Sequence, residues 1–187
     1  MSTAEAGIDG IPRLNLGCGP RPVPGWINAD REPFDGVDLC GDIACGLALA
    51  DGAVRYAVAM HFLQDLPWGA IPGALSELKR VLAPGGVLRL GLPDLDRAID
   101  AYRRGDAAYF VVPDADARSV GAKLVTQIIW YGSVRTPMTF GYVEEVLLQA
   151  GFADVRRCDF GRTASPFPDI VSLDNRERES LFVEASV

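Results

Sequence analysis

The stretch Arg13-Leu14-Asn15-Leu16-Gly17-Cys18-Gly19-Pro20, continued by Arg21-Pro22-Val23-Pro24-Gly25-Trp26-Ile27-Asn28-Ala29-Asp30, decides the fold. Arg13 to Leu16 reads as a short strand that runs into two glycines. Glycine lets the backbone turn sharply and lets a ligand approach without meeting a Cβ. A dinucleotide fingerprint needs a third glycine and a helix whose N-terminus meets the pyrophosphate. Here the loop carries Pro22, Pro24 and Gly25, so no long helix can start, and a second strand, Trp26 to Ala29, follows almost at once. A phosphate-free nucleoside loses much less from that missing helix than a dinucleotide does. Asp30 ends the second strand, where a carboxylate can accept both hydroxyls of a ribose or simply sit in a surface turn.

Outward from this corner, strands alternate with helices. Val37 to Cys40 is a weakly marked third strand, and Val54 to Met60 a buried one ending at His61. Ile71, Leu75, Leu78 and Leu82 share one helical face. That helix should stop at Ala83-Pro84-Gly85-Gly86, with a glycine taking the left-handed cap. Val87 to Leu92 is the next strand. Pro93-Asp94 opens a helix through Tyr102, Ser119 to Trp130 is helical, and Thr139 caps a helix that closes at Gly151. Val155 to Phe160 and Leu181 to Ala185 are late strands. The alternation predicts an α/β layered fold with a mostly parallel sheet, and ligands outside the carboxyl ends of its strands.

The chain of 187 residues is 49% hydrophobic and 23% charged, which fits one globular unit and excludes wholesale disorder. Residues 1–10 are expected to be a flexible start, and residues 11–187 one domain. A net charge of −7 disfavours bulk nucleic acid and anionic lipid, whose phosphates are met by Lys and Arg. No apolar run suits a membrane span, and Met1 to Gly10 lacks the basic start of a secretory signal, so a cytoplasmic address is expected. Cys18, Cys40, Cys45 and Cys158 have no metal or redox spacing and are expected to be small core hydrophobes. No metal site is expected.

The segments already quoted resemble those of class I S-adenosylmethionine-dependent methyltransferases. Leu14 to Gly19 resembles that family's first motif, Arg80-Val81-Leu82-Ala83-Pro84-Gly85-Gly86-Val87-Leu88 its helix-to-strand segment, and Ala150-Gly151-Phe152 its entry to the sixth strand. The run Pro24 to Asn28 is closest to a compact bacterial sub-group. The resemblance implies a Rossmann-like, doubly wound, seven-stranded sheet with an antiparallel last strand. It implies S-adenosylmethionine as methyl donor, S-adenosylhomocysteine as product, Asp30 on the ribose, and Asp42 and Ile43 beside the adenine. The expected donor contacts are Asn15, Leu16, Gly17, Cys18, Gly19, Arg21, Asp30, Asp42, Ile43 and Met60. Arg21 replaces the motif's third glycine and could pair with the donor's carboxylate. The sub-group's second His and its Glu after the fourth strand are replaced in His61-Phe62-Leu63-Gln64-Asp65.

Methyl transfer to a hydroxyl requires a positioned acceptor and removal of its proton. His61, the one histidine, is a candidate base or a packing residue. Asp94 is a candidate base or a helix cap. Tyr131, Tyr142 and Arg176 are candidates for the acceptor side, and Gly105, Gly121 and Gly132 for hinges of a lid over 103–135. The expected activity is O-methylation of a small-molecule or sugar-like acceptor, with a homodimer as the one assembly considered. A catalytically silent donor-binding partner protein and a nicotinamide oxidoreductase are the alternatives.

Overall fold

The computed structural model describes residues 10–187. The expected flexible start lies outside the described residues except for Gly10. Seven strands form one sheet in the order β3-β2-β1-β4-β5-β7-β6. They are β1 (Arg13–Leu16), β2 (Ile27–Asp30), β3 (Leu39–Cys40), β4 (Val54–Met60), β5 (Leu82–Pro93), β6 (Ala153–Cys158) and β7 (Ser180–Ser186). β1 pairs in parallel with β2 and β4, β2 with β3, and β4 with β5. β7 is antiparallel to both β5 and β6. Four α-helices connect the strands: α1 (Ile71–Val81), α2 (Leu95–Arg104), α3 (Val120–Ile129) and α4 (Phe140–Gln149).

The period-2 alternation of the central strands divides the core between two faces. Ala57 and Ala59 of β4 and Leu88, Leu90 and Leu92 of β5 face α1 and α4, which contribute Ile71, Leu75, Leu78, Val143 and Leu147. Each buried leucine contributes about 1.5–3 kcal/mol. Tyr56, Val58 and Val87 face the other way and are covered by Trp26, Phe167 and Ile170. The Tyr56 ring stacks on Phe167 at 5.0 Å and meets Trp26 edge-on at 5.3 Å.

Asp94, Ser119 and Thr139 each accept a backbone N–H from the first turn of α2, α3 and α4. Gly105 closes α2 in the left-handed conformation, and Gly121 lies inside α3. α1 departs from expectation. It ends at Val81, Leu82 is already extended, and β5 carries an irregular stretch over Ala83 to Gly86, where its register against β4 jumps from Leu82 to Val87 and Gly85 takes φ 72°. Gly86 has no room for a side chain, because a Cβ would sit 2.7 Å from the Ala83 carbonyl oxygen. The cysteines also depart: Cys40 and Cys45 are exposed, and Cys18 and Cys158 only half-buried. They occupy strand ends and turns, which lie outside both apolar layers.

Candidate functional site

The backbone from Gly17 to Trp26 forms turns and no helix. Side-chain amides fold it. Asn15 Nδ2 donates to Asn28 Oδ1, which also accepts the Val23 N–H, while Asn28 Nδ2 donates to the Val23 and Trp26 carbonyls. Asn15 is therefore a buried strut of the loop, and the cleft wall begins at Leu16. Gly17 and Gly19 both have positive φ, 71° and 56°. At Gly17 the Phe62 ring lies where a side chain would begin, with Cδ2 2.6 Å from a Cβ position.

A cleft of roughly 420 Å³ opens at the carboxyl ends of β1, β2 and β4. Leu16, Gly17, Asp30, Asp42, Ile43 and His61 line it, with Phe62, Asp65 and Arg135. Asp30 Oδ2 accepts the Gly19 N–H at 2.8 Å, and Oδ1 accepts the Glu32 N–H at 2.9 Å. Each oxygen keeps a second lone pair, since a carboxylate offers about four acceptor sites. Asp42 accepts the Ala44 N–H through Oδ1, and Ile43 beside it is buried.

A second compartment of roughly 250 Å³ adjoins the first and shares His61, Asp65 and Ser133 with it. Its other walls include Gln64, Gln127, Trp130, Arg176 and Glu179. The His61 backbone is held at φ 52° by its N–H bond to the Gly91 carbonyl. Its Nε2 lies 3.2 Å from Ser180 Oγ, while Nδ1 is buried without a partner among the described residues. Burial, reinforced by the Arg176 charge, lowers the His61 pKa to about 4, so the ring is neutral at pH 7. Gln64 is buried. Its Nε2 donates to Asp65 Oδ1, which fixes the amide orientation, and Oε1 has no partner among the described residues. Burial pushes the Asp65 carboxyl up, against the opposing pull of Gln64 and Arg176. The Arg176 guanidinium lies over the Trp130 ring at 5.9 Å.

Several expected site residues are elsewhere. Met60 packs with the Trp26 and Tyr56 cluster, and its sulfur fills the space above Gly91. It leaves the cleft because strand alternation turns it to the opposite face of the sheet from Ala59. Arg21 and Cys18 do not line this cleft; Arg21 is exposed, and among the described residues its N–H alone is engaged, with the Cys18 carbonyl. Burial and then Asp30 push the Cys18 thiol up to about 11, which removes it as a nucleophile. Gly19 acts through its N–H on Asp30 rather than as wall.

Asp94 is buried in neither compartment. Oδ1 accepts the Arg97 N–H, and Oδ2 meets Arg157 Nη2 at 2.6 Å and Arg97 Nε at 3.3 Å. Cap and two guanidiniums occupy the carboxylate, so its arrangement does not suit a base. Tyr131 donates to Asp116 and faces solvent, and its neighbour Trp130 lines the compartment instead. Tyr142 packs at the edge of the α4 core face. Of the three acceptor-side candidates only Arg176 lines the compartment. Phe62, Gln64, Ser180 and Glu179 were not anticipated. The unusual Gln64-Asp65 pair after β4 was the signal that could have found one of them. Among the described residues no three His, Cys, Asp or Glu side chains cluster as metal ligands, and no helix is long and apolar enough to cross a membrane.

No protein-family model matches the chain, and no curated protein matches it in sequence. Its architecture is similar to many solved structures. A SAM-dependent methyltransferase from Archaeoglobus fulgidus aligns with a TM-score of 0.60 at 13% identity, over 95% of this chain and 87% of the other. One from Mesorhizobium loti gives 0.56 at 17% identity, over 99% and 94%. One from Thermotoga maritima gives 0.56 at 17%, over 94% and 81%. At these identities the likeness bears on architecture. Together with the strand order and the reversed β7, it shows that this chain has the class I methyltransferase fold.

Proposed function

We propose that this chain transfers a methyl group from S-adenosylmethionine to a hydroxyl of a small-molecule acceptor. The observation that carries the reading is the pair of adjoining compartments at the carboxyl edge, joined at His61 and Asp65. The first suits the donor's nucleoside end. Asp30 is pinned by two backbone N–H groups and keeps lone pairs for two ribose hydroxyls. The unused Asp42 oxygen can accept from an exocyclic amine, and Ile43 offers an apolar surface to a ring. When bound, S-adenosylmethionine supplies a methyl group on a sulfonium, which leaves as a neutral thioether.

The second compartment suits the acceptor. A neutral His61 can accept the hydrogen bond of a hydroxyl, and the unpartnered Gln64 oxygen accepts a second one. Leaving such an atom buried and unpaired costs about 1–3 kcal/mol, which a hydroxylic ligand would relieve. With a pKa near 4 the ring is a weak base, so His61 orients the hydroxyl and takes its proton only as the methyl group arrives. A nicotinamide reading is disfavoured because no helix N-terminus meets the loop at Gly17 to Trp26.

Thermal unfolding with S-adenosylhomocysteine and with NAD in parallel tests the donor. A ligand at about 100 times its dissociation constant adds roughly 2.7 kcal/mol. S-adenosylhomocysteine should stabilise the chain, and Asp30→Asn should weaken its binding by about tenfold or more through loss of charge-assisted bonds. Stabilisation by NAD alone overturns the donor. Donor binding with no methyl transfer across hydroxylic acceptors would favour the silent partner reading.

A further inference from the structure

Away from both compartments, a third cavity of roughly 330 Å³ is lined by Arg97, Asp100, Arg104, Tyr109 and Arg178. Arg97 and Arg104 are seven residues apart on α2, two turns along one face. Arg178 reaches the same cavity from the segment before β7. The chain carries a net charge of −7, yet three guanidiniums converge here on one carboxylate. Arg97 is fixed in place: Nε pairs with Asp94 at 3.3 Å, and Nη1 donates to the Glu177 carbonyl at 3.3 Å. Arg104 and Arg178 form no ion pair among the described residues. Asp100 is 4.0 Å from Arg103, outside the cavity. The Tyr109 hydroxyl is buried with no partner among the described residues.

We infer that this cavity is a binding site for a multivalent oxyanion, phosphate or pyrophosphate in type, held by Arg97, Arg104 and Arg178 with Tyr109 as a neutral donor. Guanidiniums match phosphate geometry in bidentate fashion, and an oxyanion would offset the mutual repulsion of the three cations. The Tyr109 hydroxyl keeps its proton, because burial and then Asp94 push its pKa up to about 12. It can therefore donate but cannot add negative charge. The site does not depend on the methyl-transfer reading. Its ligand could be a free anion or a phosphoryl group carried on a larger molecule.

Isothermal titration at constant ionic strength tests it, with inorganic phosphate, inorganic pyrophosphate and glucose 6-phosphate as probes. Saturable binding of at least one probe at one site is expected. The double variant Arg104→Gln/Arg178→Gln should lose about tenfold or more in affinity, while its ligand-free melting temperature and its S-adenosylhomocysteine affinity stay unchanged. Tyr109→Phe should lose a smaller factor. Tighter binding of the sugar phosphate assigns the oxyanion to an organic carrier, and tighter binding of an inorganic probe assigns it to a free anion. Absence of saturable heat with all three probes, or equal affinity in the double variant, overturns the site.

Discussion

The glycine corner yields a prediction in which two neighbouring, chemically identical substitutions should differ. Gly17→Ala and Gly19→Ala both force an L-residue into positive φ, which costs about 1–2 kcal/mol. At Gly19 nothing lies within 4 Å of the new methyl group, so that is the whole cost. At Gly17 the methyl would meet Phe62 Cδ2, Cβ and Cγ at 2.6, 2.8 and 2.9 Å. The Phe62 ring packs against the main core, so its retreat adds an overpacking cost of about 1–3 kcal/mol. Gly17→Ala should thus lose roughly 2–5 kcal/mol, and Gly19→Ala about 1–2. Urea unfolding at constant slope reads the difference as a shift in midpoint. In a Phe62→Ala background, which removes the ring but keeps the Cβ at 2.8 Å, the excess at Gly17 should shrink, a coupling of up to about 1–3 kcal/mol. Equal losses at the two glycines, or additivity with Phe62→Ala, would refute the claim that Phe62 is what reserves position 17 for glycine.

His61 is the only histidine, so one imidazole resonance reports its titration. Its midpoint by NMR should lie near 4, against an ordinary 6.5. Since the unfolded chain takes this proton first, stability should fall from pH 6.5 to 4 and then level, a loss of about 3–3.5 kcal/mol that His61→Gln removes; a midpoint at or above 6.5 contradicts the geometry. Arg89→Met strands two buried carboxylates, Asp174 and Glu184, and should cost about 3–5 kcal/mol in denaturant unfolding, whereas Arg31→Ala on the exposed Glu32 pair should cost under about 1. Asp94→Asn keeps the α2 cap and should be about 0.5–2 kcal/mol more stable than Asp94→Ala. In the methyl-transfer assay Asp94→Asn should retain turnover; loss of turnover with an intact melting curve would return Asp94 to the chemistry.

Local rules made much of the frame readable. β1 and β4 follow from short apolar runs with sharp stops, and the caps at Asp94 and Thr139 follow from side chains that satisfy orphan N–H groups. The ends of α1 and β5 did not. Pro84 and Gly85 are breakers in a helix, and here they fall in a break of the β5 ladder that is tied down by the Gly85 N–H on the Val187 carbonyl and the Val187 N–H on Gly86, a distant partner for which sequence periodicity carries no term. Met60 and Asn15 were misplaced for a related reason. Position in the strand was right, but the face and the loop-bracing network depend on Gly91 and Asn28, which lie 31 and 13 residues away in the chain.

The acceptor side shows why distance along the chain hides function. Arg89 interrupts an apolar strand and reads as a blemish. In the fold its guanidinium grips Asp174 through both Nε and Nη2, takes Glu184 through Nη1, and also donates to the Asp159 and Arg162 carbonyls. These contacts anchor the segment between β6 and β7 onto the middle of the sheet. That segment delivers Arg176 and Glu179 to the second compartment, and it ends at Ser180, whose hydroxyl meets His61. A desolvated ion cluster is weak evidence for stability, because burying the charges consumes most of what their pairing returns. Its contribution here is register. With Arg89 fixed on β5, Arg176 is placed over Trp130 and beside His61. Burial is the larger cause of the lowered His61 pKa, and the smaller one, the Arg176 charge, comes from a segment held by the fully buried Arg89.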